Sequence, residues 1–232
     1  GMRSLYPLQK GRVILCLAAE EESGDKGFMT VEPSLPRYDA AIFGEPTNMG
    51  VAPAMRGSMK GIMRSHGKSC HASRPWEGKN ACDQFADDMR VLRCIDLKDN
   101  SPWKQATIEP TVIKGGQSTN QIPDLVEVTL DIRTTPEKNN VWIIDTLKKS
   151  GLDVDITMNR RNPMHNPPDA PLIRAIRKAR PDLPDYVFNG SCDMAFAKAP
   201  SMVMGPGRSE RSHAADEFIT MSELTQAVGV YV

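Results

Sequence analysis

Residues 125–133 read LVEVTLDIR and alternate apolar with polar side chains. The apolar positions are Val126, Val128, Leu130 and Ile132, and the polar positions are Glu127, Thr129, Asp131 and Arg133. Successive side chains of a strand point to opposite faces, so the two sets lie on opposite sides of the chain. The stretch therefore predicts a strand with one face buried in a core and the other facing solvent.

The segments on either side of this strand carry equally clear patterns. Residues 151–159, GLDVDITMN, repeat the alternation through Leu152, Val154, Ile156 and Met158. Residues 79–95, KNACDQFADDMRVLRCI, place apolar side chains at helical spacing instead, at Cys82, Phe85, Ala86, Met89 and Leu92. The first pattern predicts another half-buried strand, and the second predicts an amphipathic helix.

Three more segments complete the central part of the chain. Residues 55–65, MRGSMKGIMRS, and residues 106–114, ATIEPTVIK, are predicted strands. Residues 136–151, PEKNNVWIIDTLKKSG, predict a helix that begins at Pro136 and ends at Gly151. The resulting order, βαββαβ, is typical of the ferredoxin-like sandwich.

The flanking segments have a different pattern. Residues 12–19 (RVILCLAA), 38–44 (YDAAIFG) and 200–205 (PSMVMG) are short, continuously apolar runs. Such runs are typical of strands that are covered on both faces of a parallel sheet. The predicted fold class is therefore α/β. A domain with a parallel-rich sheet, formed by residues 1–54 and 163–232, is interrupted by an inserted ferredoxin-like βαββαβ domain at residues 55–162.

The composition limits the class of protein. The chain has 232 residues, and its 29 basic residues balance its 29 acidic ones. Zero net charge gives no reason to expect nucleic acid or an anionic membrane as a partner, and the longest apolar run is far shorter than the roughly 20 residues that cross a bilayer. The five cysteines include no C-x-x-C pair, which favours buried, reduced thiols over disulfides. We expect a soluble, cytoplasmic protein.

Side chains that can bind a metal follow all three apolar runs. Glu21 and Glu22 follow the first run, Glu45 the second and His213 the third. Parallel sheets bind ligands beyond the carboxyl ends of their strands, so we expect these side chains to meet. A zinc ion would neutralise the clustered carboxylates. Because adjacent residues of an extended chain point to opposite sides, Glu22 can bind the metal while Glu21 takes a proton from the metal-bound water.

Each of these residues also has a simpler interpretation. A run of glutamates after a strand is commonly a solvated loop, and a glutamate before a proline, such as Glu45, is commonly a turn residue. His213, beside two arginines, is commonly a surface histidine. The joint position at the ends of three predicted strands is what favours the metal site.

Five blocks of the sequence carry a family resemblance. In chain order they are AAEEESG, AIFGEPTN, GKSCHASRPWEGKNA, GGQSTNQIPDLVEVTLDIR and SCDMAFAKAPSMVMGPGRSERSHAADEFI. Together they resemble the family of zinc aminoacyl hydrolases that includes acetylornithine deacetylase, succinyl-diaminopimelate desuccinylase, aminoacylase and glutamate carboxypeptidase, and the last block is most similar to the acetylornithine deacetylase branch. The resemblance implies a catalytic α/β/α domain with an inserted dimerisation or lid domain, and removal of an acyl group from an N-acyl amino acid such as N-acetylornithine.

The resemblance implies roles for the residues of the metal site. Glu21 matches the general base of the family. Glu22, Glu45 and His213 match metal ligands, for a pair of zinc ions or for cobalt or manganese in their place. The chain is accordingly expected to bind a small N-acyl amino acid and to form a homodimer through the inserted domain.

Four further residues match catalytic or substrate-binding positions. His71 matches a histidine that reaches the partner's site in the homodimer and donates a hydrogen bond to the developing oxyanion; a loop histidine that contacts Ser73 is the simpler alternative. Asn120, in the loop between the second and third strands of the insertion, matches a substrate-binding asparagine, or is an ordinary turn residue. Arg133 matches an arginine that holds a substrate carboxylate, or is a solvated surface arginine. Gly205 is expected to let the backbone approach the substrate closely.

One part of the family pattern is absent from the sequence. Family members carry an H-x-D histidine ligand and a metal-bridging aspartate upstream of the glutamate block. The four histidines here are followed two positions later by Lys68, Ser73, Pro167 and Ala215, so none forms this motif. The sequence therefore predicts an N-terminally incomplete catalytic domain with weakened metal binding. Two hypotheses remain: a metallohydrolase, or a catalytically inactive remnant that self-associates through the inserted domain.

Overall fold

The computed structural model describes residues 11–24, 26–167 and 169–231 of the chain. These residues form two compact units. One unit combines the segment up to Met55 with the segment from Met164 onwards, and the other is the continuous segment Arg56–Pro163. We call them the α/β unit and the inserted unit.

The described residues form six α-helices and ten strands. The helices are α1 (Glu21–Gly24), α2 (Gly27–Val31), α3 (Ala81–Arg93), α4 (Asn140–Ser150), α5 (Pro171–Ala179) and α6 (Met221–Tyr231). The strands are β1 (Ala41–Phe43), β2 (Ala54–Met55), β3 (Gly57–His66), β4 (Cys70–His71), β5 (Thr107–Gly115), β6 (Gln121–Ile122), β7 (Leu125–Thr134), β8 (Asp153–Arg161), β9 (Met164–His165) and β10 (Ser201–Val203).

The inserted unit is built on a four-stranded antiparallel sheet. Its strand order is β5-β7-β3-β8, and the central pair is in register along its whole length, from Gly57 opposite Thr134 to His66 opposite Leu125. With α3 after β3 and α4 after β7, the chain order is βαββαβ. The predicted ferredoxin-like topology is thus confirmed, and the alternating apolar positions of β7 are its buried ones.

The two helices of the inserted unit begin at asparagine caps. The side chain of Asn80 accepts a hydrogen bond from the backbone N–H of Cys82 at 2.9 Å, and that of Asn139 accepts one from Trp142 at 3.0 Å. The prediction that α4 begins at Pro136 is therefore wrong, because the cap places the start at Asn140. The predicted end is confirmed: Gly151 has a φ of 79°, a left-handed conformation that glycine adopts without strain.

A buried polar network closes one end of the inserted unit. Thr134 donates to the side chain of Asn140 at 2.6 Å, and the Asn140 amide donates to Asn159 at 2.7 Å and to the backbone carbonyl of Arg161 at 3.2 Å. A Cβ atom added to Gly57 would lie 2.1 Å from Oγ1 of Thr134. Glycine is therefore needed where the chain enters the unit, and the network holds that point beside the exit.

The α/β unit contains the parallel pairing that the sequence predicts. Strands β1 and β10 pair in parallel, with Ile42 opposite Met202, and each lies within one of the predicted apolar runs. Strands β2 and β9 form a separate antiparallel pair. Met202 and Val203 are completely buried: Met202 lies in a cluster with Ile173 of α5, and Val203 lies in a second cluster with Met55.

The prediction that residues 12–19 form a further strand of this unit is wrong. Within the described residues this run has no strand pairing, and Val13, Leu15 and Leu17 are 46%, 63% and 86% exposed. A strand is stabilised by a hydrogen-bonded neighbour, and the described pairing of β1 is with β10. The apolar pattern alone could not supply that neighbour.

All five cysteines are free thiols, as expected, but only Cys192 is buried, so the expectation of burial is wrong for Cys16, Cys70, Cys82 and Cys94. Among the described helices, none combines the length and the apolar character needed to span a bilayer.

Candidate metal and substrate site

The glutamate run folds differently from the expectation. Glu21 and Glu22 lie in the short helix α1 rather than in extended chain, so the prediction that they point to opposite sides of a strand is wrong. Glu20, the residue before α1, has a φ of 60°, which is left-handed and unfavourable for a residue with a Cβ atom. Carboxylates in a first helical turn face the positive end of the backbone dipoles, which favours a local glutamate cluster.

His213 is brought to this helix from the far end of the sequence. Its Nε2 atom lies 3.7 Å from Oε1 of Glu22. Its backbone also adopts a left-handed φ of 60°, and its backbone N–H donates to the side chain of Glu217 at 3.0 Å. Strained backbone is commonly found at functional sites, and Glu20 and His213 place it on both sides of this contact.

The loop that carries His213 is fixed to the start of α6 by Glu223. The carboxylate of Glu223 accepts hydrogen bonds from Arg211 at 3.0 and 3.1 Å and from the backbone N–H of Thr220 at 2.8 Å, while the Thr220 hydroxyl accepts one from the backbone N–H of Glu223 at 3.2 Å. Thr220 and Glu223 thus form a capping box. The Thr220 hydrogen bonds and the Arg211 charge hold the pKa of Glu223 below its usual range.

Sequence interpretation missed the Glu223 anchor, although a signal was present. Residues 220–223 read TMSE, the T-x-x-E pattern of a capping box before a helix. The guanidinium of Arg211 also stacks over the ring of Phe218, 4.3 Å from its centroid. The His213 loop therefore has two attachments that the family resemblance did not indicate.

Glu45 follows β1 at the carboxyl end of the parallel pair. Its carbonyl oxygen would lie 2.5 Å from a Cβ atom on Gly205, so glycine is needed there for the two loops to approach each other, and the approach of the Gly205 backbone to a substrate stays a prediction. The two loops are locked by hydrogen bonds from the backbone N–H groups of Thr47 and Met49 to the Gly205 carbonyl, at 3.2 and 2.9 Å. Tyr231 donates to the carbonyl of Met204 at 2.5 Å, and burial raises the pKa of its phenol to about 12.

The donor atoms fit a metal ion in part. Two ligands of one tetrahedral zinc ion are about 3.4 Å apart, so the 3.7 Å between Glu22 and His213 is compatible with one shared ion. Both side chains are mostly exposed and accessible to a metal. Within residues 11–24, 26–167 and 169–231, however, no three His, Cys, Asp or Glu side chains are grouped as a metal site, so Glu45 is not brought together with that pair.

In the inserted unit, the structure brings His71 and Asn120 together. Strand β4 pairs with β6, which places His71 opposite Gln121, and the backbone N–H of Ala72 donates to the Asn120 carbonyl at 2.8 Å. The side chain of Asn120 accepts a hydrogen bond from Ser118 at 2.6 Å. Both predicted site residues are exposed on this ribbon.

The ring of His71 is held on one side by Ser73. Its Nδ1 atom lies 2.7 Å from the Ser73 hydroxyl and accepts a hydrogen bond from the Ser73 backbone N–H at 3.1 Å. The contact with Ser73 that the sequence offered as an alternative is therefore present. A donor role for His71 is compatible with it, because the contact uses Nδ1 and not Nε2.

Arg133 is paired within its own strand. Its guanidinium donates two hydrogen bonds to the carboxylate of Asp131, at 2.7 and 3.1 Å. The Arg133 side chain keeps 35% of its surface exposed. Asp131 thus pre-orients the guanidinium and competes with any substrate carboxylate for it, an effect that the alternation of β7 did not reveal.

The inserted unit is similar to a known domain family. Residues 54–150 match the peptidase dimerisation domain family. Acetylornithine deacetylase of Klebsiella pneumoniae (strain 342) is 29% identical over 232 residues, which cover 91% of this chain and 60% of that protein. An uncharacterised metallohydrolase of Methanocaldococcus jannaschii is 25% identical, over 95% of this chain and 67% of that protein. The chain thus spans about 60% of the length of the acetylornithine deacetylase it matches.

Solved structures share the fold. A tripeptidase of Staphylococcus aureus has a TM-score of 0.72 at 19% identity, over 92% of this chain and 61% of that one. An M20 family metallo-carboxypeptidase of Sulfolobus solfataricus has a TM-score of 0.66 at 15% identity, over 91% of this chain and 67% of that one. These similarities show an α/β fold with an insertion, as the sequence predicted, and the insertion is similar to the peptidase dimerisation domain.

Proposed function

Since the chain is homologous to acetylornithine deacetylase and to the M20 family metallopeptidases, we propose that it is part of a metal-dependent amide hydrolase. Its substrate is an N-acyl amino acid such as N-acetylornithine, from which it removes the acyl group. The family to which these relatives belong generally binds divalent metals, and zinc is the ion we propose.

The single observation that carries the proposal is the contact between Glu22 and His213. A carboxylate and an imidazole from opposite ends of the sequence lie 3.7 Å apart, a spacing that suits one shared zinc ion. Glu45 lies beyond the end of β1 and is proposed to ligate the second ion of the pair. A bound zinc ion would acidify a water molecule and polarise the scissile carbonyl.

The remaining site residues act on the substrate and on protons. Glu21 accepts the proton of the attacking water and passes it to the leaving amine. Arg133 binds the substrate carboxylate through the guanidinium N–H groups that do not bond to Asp131. Asn120 and the backbone at Gly205 are also proposed to bind substrate. His71 donates a hydrogen bond to the developing oxyanion.

The proposal includes a homodimer formed through the inserted unit. The match to the peptidase dimerisation domain supports it. The assignment of His71 to the site of the partner chain also requires a dimer. Strand β5 is the edge best suited to pairing, since Val112 and Ile113 are 46% and 57% exposed there, whereas the opposite edge strand, β8, carries Asp153 and Asp155. A cytoplasmic location is proposed as well, because exposed thiols such as Cys82 and Cys94 persist in a reducing compartment.

Hydrolysis of N-acetylornithine in the presence of zinc tests the proposal. The wild-type chain is expected to release acetate and ornithine, and Glu21→Gln to lower kcat by about 10²–10⁴-fold, the usual contribution of a general base. Glu20→Gln is the matched control, since Glu20 precedes α1 and its carboxylate has no assigned role. Equal rates in the wild type and Glu21→Gln would remove Glu21 from the mechanism.

One observation favours a second candidate function. Among the described side chains no group of three metal-binding residues occurs, which is the arrangement expected of a catalytically inactive remnant that only self-associates. Zinc content separates the two functions, since the hydrolase retains close to two ions per chain, as a two-metal site requires, and the remnant retains almost none.

A further inference from the structure

Ser73 lies next to the proposed oxyanion donor and makes contacts that the proposed function does not use. Its backbone N–H points at Nδ1 of His71, at 3.1 Å, and its hydroxyl oxygen lies 2.7 Å from the same atom. A backbone N–H is always a donor and cannot rotate away. Nδ1 must therefore be the acceptor in this pair, and in a neutral imidazole the proton then resides on Nε2.

We propose that Ser73 is a positioning residue that fixes His71 as the Nε2–H tautomer through its backbone N–H. The inference rests on the proposed function in one respect, the assignment of His71 as a hydrogen-bond donor to substrate. In the other tautomer, the Nδ1 proton would face the Ser73 N–H, and Nε2 would present a lone pair to a developing negative charge. The Ser73 contact excludes that arrangement before substrate binds.

The surrounding backbone makes this contact rigid. Ala72, which links His71 to Ser73, donates a hydrogen bond from its backbone N–H to the Asn120 carbonyl at 2.8 Å. The turn is closed by a hydrogen bond from the Arg74 N–H to the His71 carbonyl, at 2.9 Å. Since the turn fixes the direction of the Ser73 N–H, it also fixes the ring nitrogen that can accept it.

The Nε2 side of the ring is available to a ligand. None of the hydrogen bonds among the described residues uses Nε2 of His71, and the residue is exposed. The donor is therefore already oriented when a carbonyl oxygen arrives, and no reorganisation of the ring is needed at the transition state.

Nitrogen-detected NMR of the imidazole rings at neutral pH tests the inference on the intact chain, without any need for activity. The chain has only 4 histidines, and a His71→Gln variant assigns the signal. The wild type is expected to show a protonated Nε2 and an unprotonated Nδ1. A mixture of tautomers, or a protonated Nδ1, in the wild type overturns the inference and requires no variant.

Two substitutions separate the backbone from the hydroxyl. Ser73→Pro removes the N–H and is expected to give mixed tautomers, whereas Ser73→Ala keeps the N–H and the wild-type tautomer. Retention of the wild-type tautomer in Ser73→Pro, or its loss in Ser73→Ala, contradicts the role of the backbone N–H. The slow amide exchange of Ala72 reports in both variants that the β4–β6 ribbon is intact.

Kinetics supply a second readout. Ser73→Pro is expected to lower kcat for N-acetylornithine with little change in KM, up to the roughly 10²–10³-fold loss that follows removal of such a donor. If the wild-type chain hydrolyses nothing, the proposed function fails, while the tautomer measurement still decides the inference about Ser73.

Discussion

Nε2 of His213 lies 3.7 Å from Oε1 of Glu22, although the two residues stand near opposite ends of the described chain. This contact brings the helix α1, which follows the first apolar run, to the loop that follows β10. A histidine close to a carboxylate is common on protein surfaces. Here, however, Glu20, two residues before Glu22, and His213 itself both have left-handed backbone, which is unfavourable for residues other than glycine. This strain supports the ligand-binding role proposed for the pair.

Loss of the Glu223 anchor is expected to weaken metal binding without touching a ligand. In Glu223→Ala the capping box of α6 and the ion pair with Arg211 are both lost, so the His213 loop becomes mobile. Zinc affinity, measured by calorimetry, and the midpoint of thermal unfolding should both fall. Glu210→Ala, at an exposed position of the same loop, is the matched control and should leave both unchanged; an equal effect of the two substitutions would argue against a specific anchor.

Gly57→Ala is expected to destabilise the inserted unit. The added methyl group would stand 2.1 Å from Oγ1 of Thr134 and 2.8 Å from the Arg161 carbonyl, so the buried network around Asn140 must shift. Overpacking of this kind typically lowers the free energy of unfolding by about 1–3 kcal/mol, and chemical denaturation of the variant and the wild type measures this loss. The control is Gly229→Ala in α6, where an added Cβ atom meets nothing within 4 Å and the higher helix propensity of alanine should be neutral or slightly stabilising. Similar effects of both changes would rule out the steric explanation.

Asp99 is expected to make folding stability depend on pH. Burial alone would raise the pKa of Asp99, but hydrogen bonds from Ser101 and Thr135 and the charge of Arg56 outweigh it and lower the pKa below its usual range. A depressed folded-state pKa means that the stabilisation is fully present above the unfolded-state pKa, about 3.9, and is lost as pH falls through the folded-state value.

The Asp99→Asn variant checks this pH dependence. The difference in unfolding free energy between wild type and variant should be greatest above about pH 4 and should shrink as the pH is lowered further. Thr135→Val removes one of the donors and should reduce the slope of the wild-type profile. A stability difference that does not vary between neutral and acidic pH would contradict the assignment.

Ile113→Glu is expected to disrupt the proposed homodimer. A charge at this 57% exposed position of β5 would prevent edge-to-edge pairing of two inserted units, so light scattering should report a monomer for the variant at micromolar concentration and a dimer for the wild type. Val141→Glu, at a 66% exposed position of α4, is the control and should remain dimeric. A monomeric wild type would refute the dimer itself.

The inserted fold could be predicted from sequence because its pattern is local. The alternation of β7 and the helical spacing of α3 each report one buried face, and the structure buries Val128, Leu130 and Leu92 accordingly. The start of α4 was predicted less accurately, because Pro136 and Asn139 are both residues that commonly begin a helix. Only Asn139 does so here, through its side-chain cap. Local chemistry decided that case.

The site was less predictable because it depends on partners distant in sequence. The run that ends at Ala19 has the composition of a buried strand, yet its exposure depends on whether a neighbouring strand pairs with it. Likewise, nothing in the β7 pattern indicated that Asp131 would hold Arg133, since both belong to the polar face. The family resemblance indicated which residues matter, whereas the hydrogen bonds of Ser73 and Glu223 were visible only in three dimensions.

The zinc content of the purified chain after dialysis tests the central claim most directly. The account predicts that the wild type retains zinc, that Glu22→Gln and His213→Asn each lose most of it, and that His66→Asn, whose ring pairs with Asp153 in the inserted unit, retains as much as the wild type. A wild type without zinc, or equal zinc in the wild type, Glu22→Gln and His213→Asn, would contradict it.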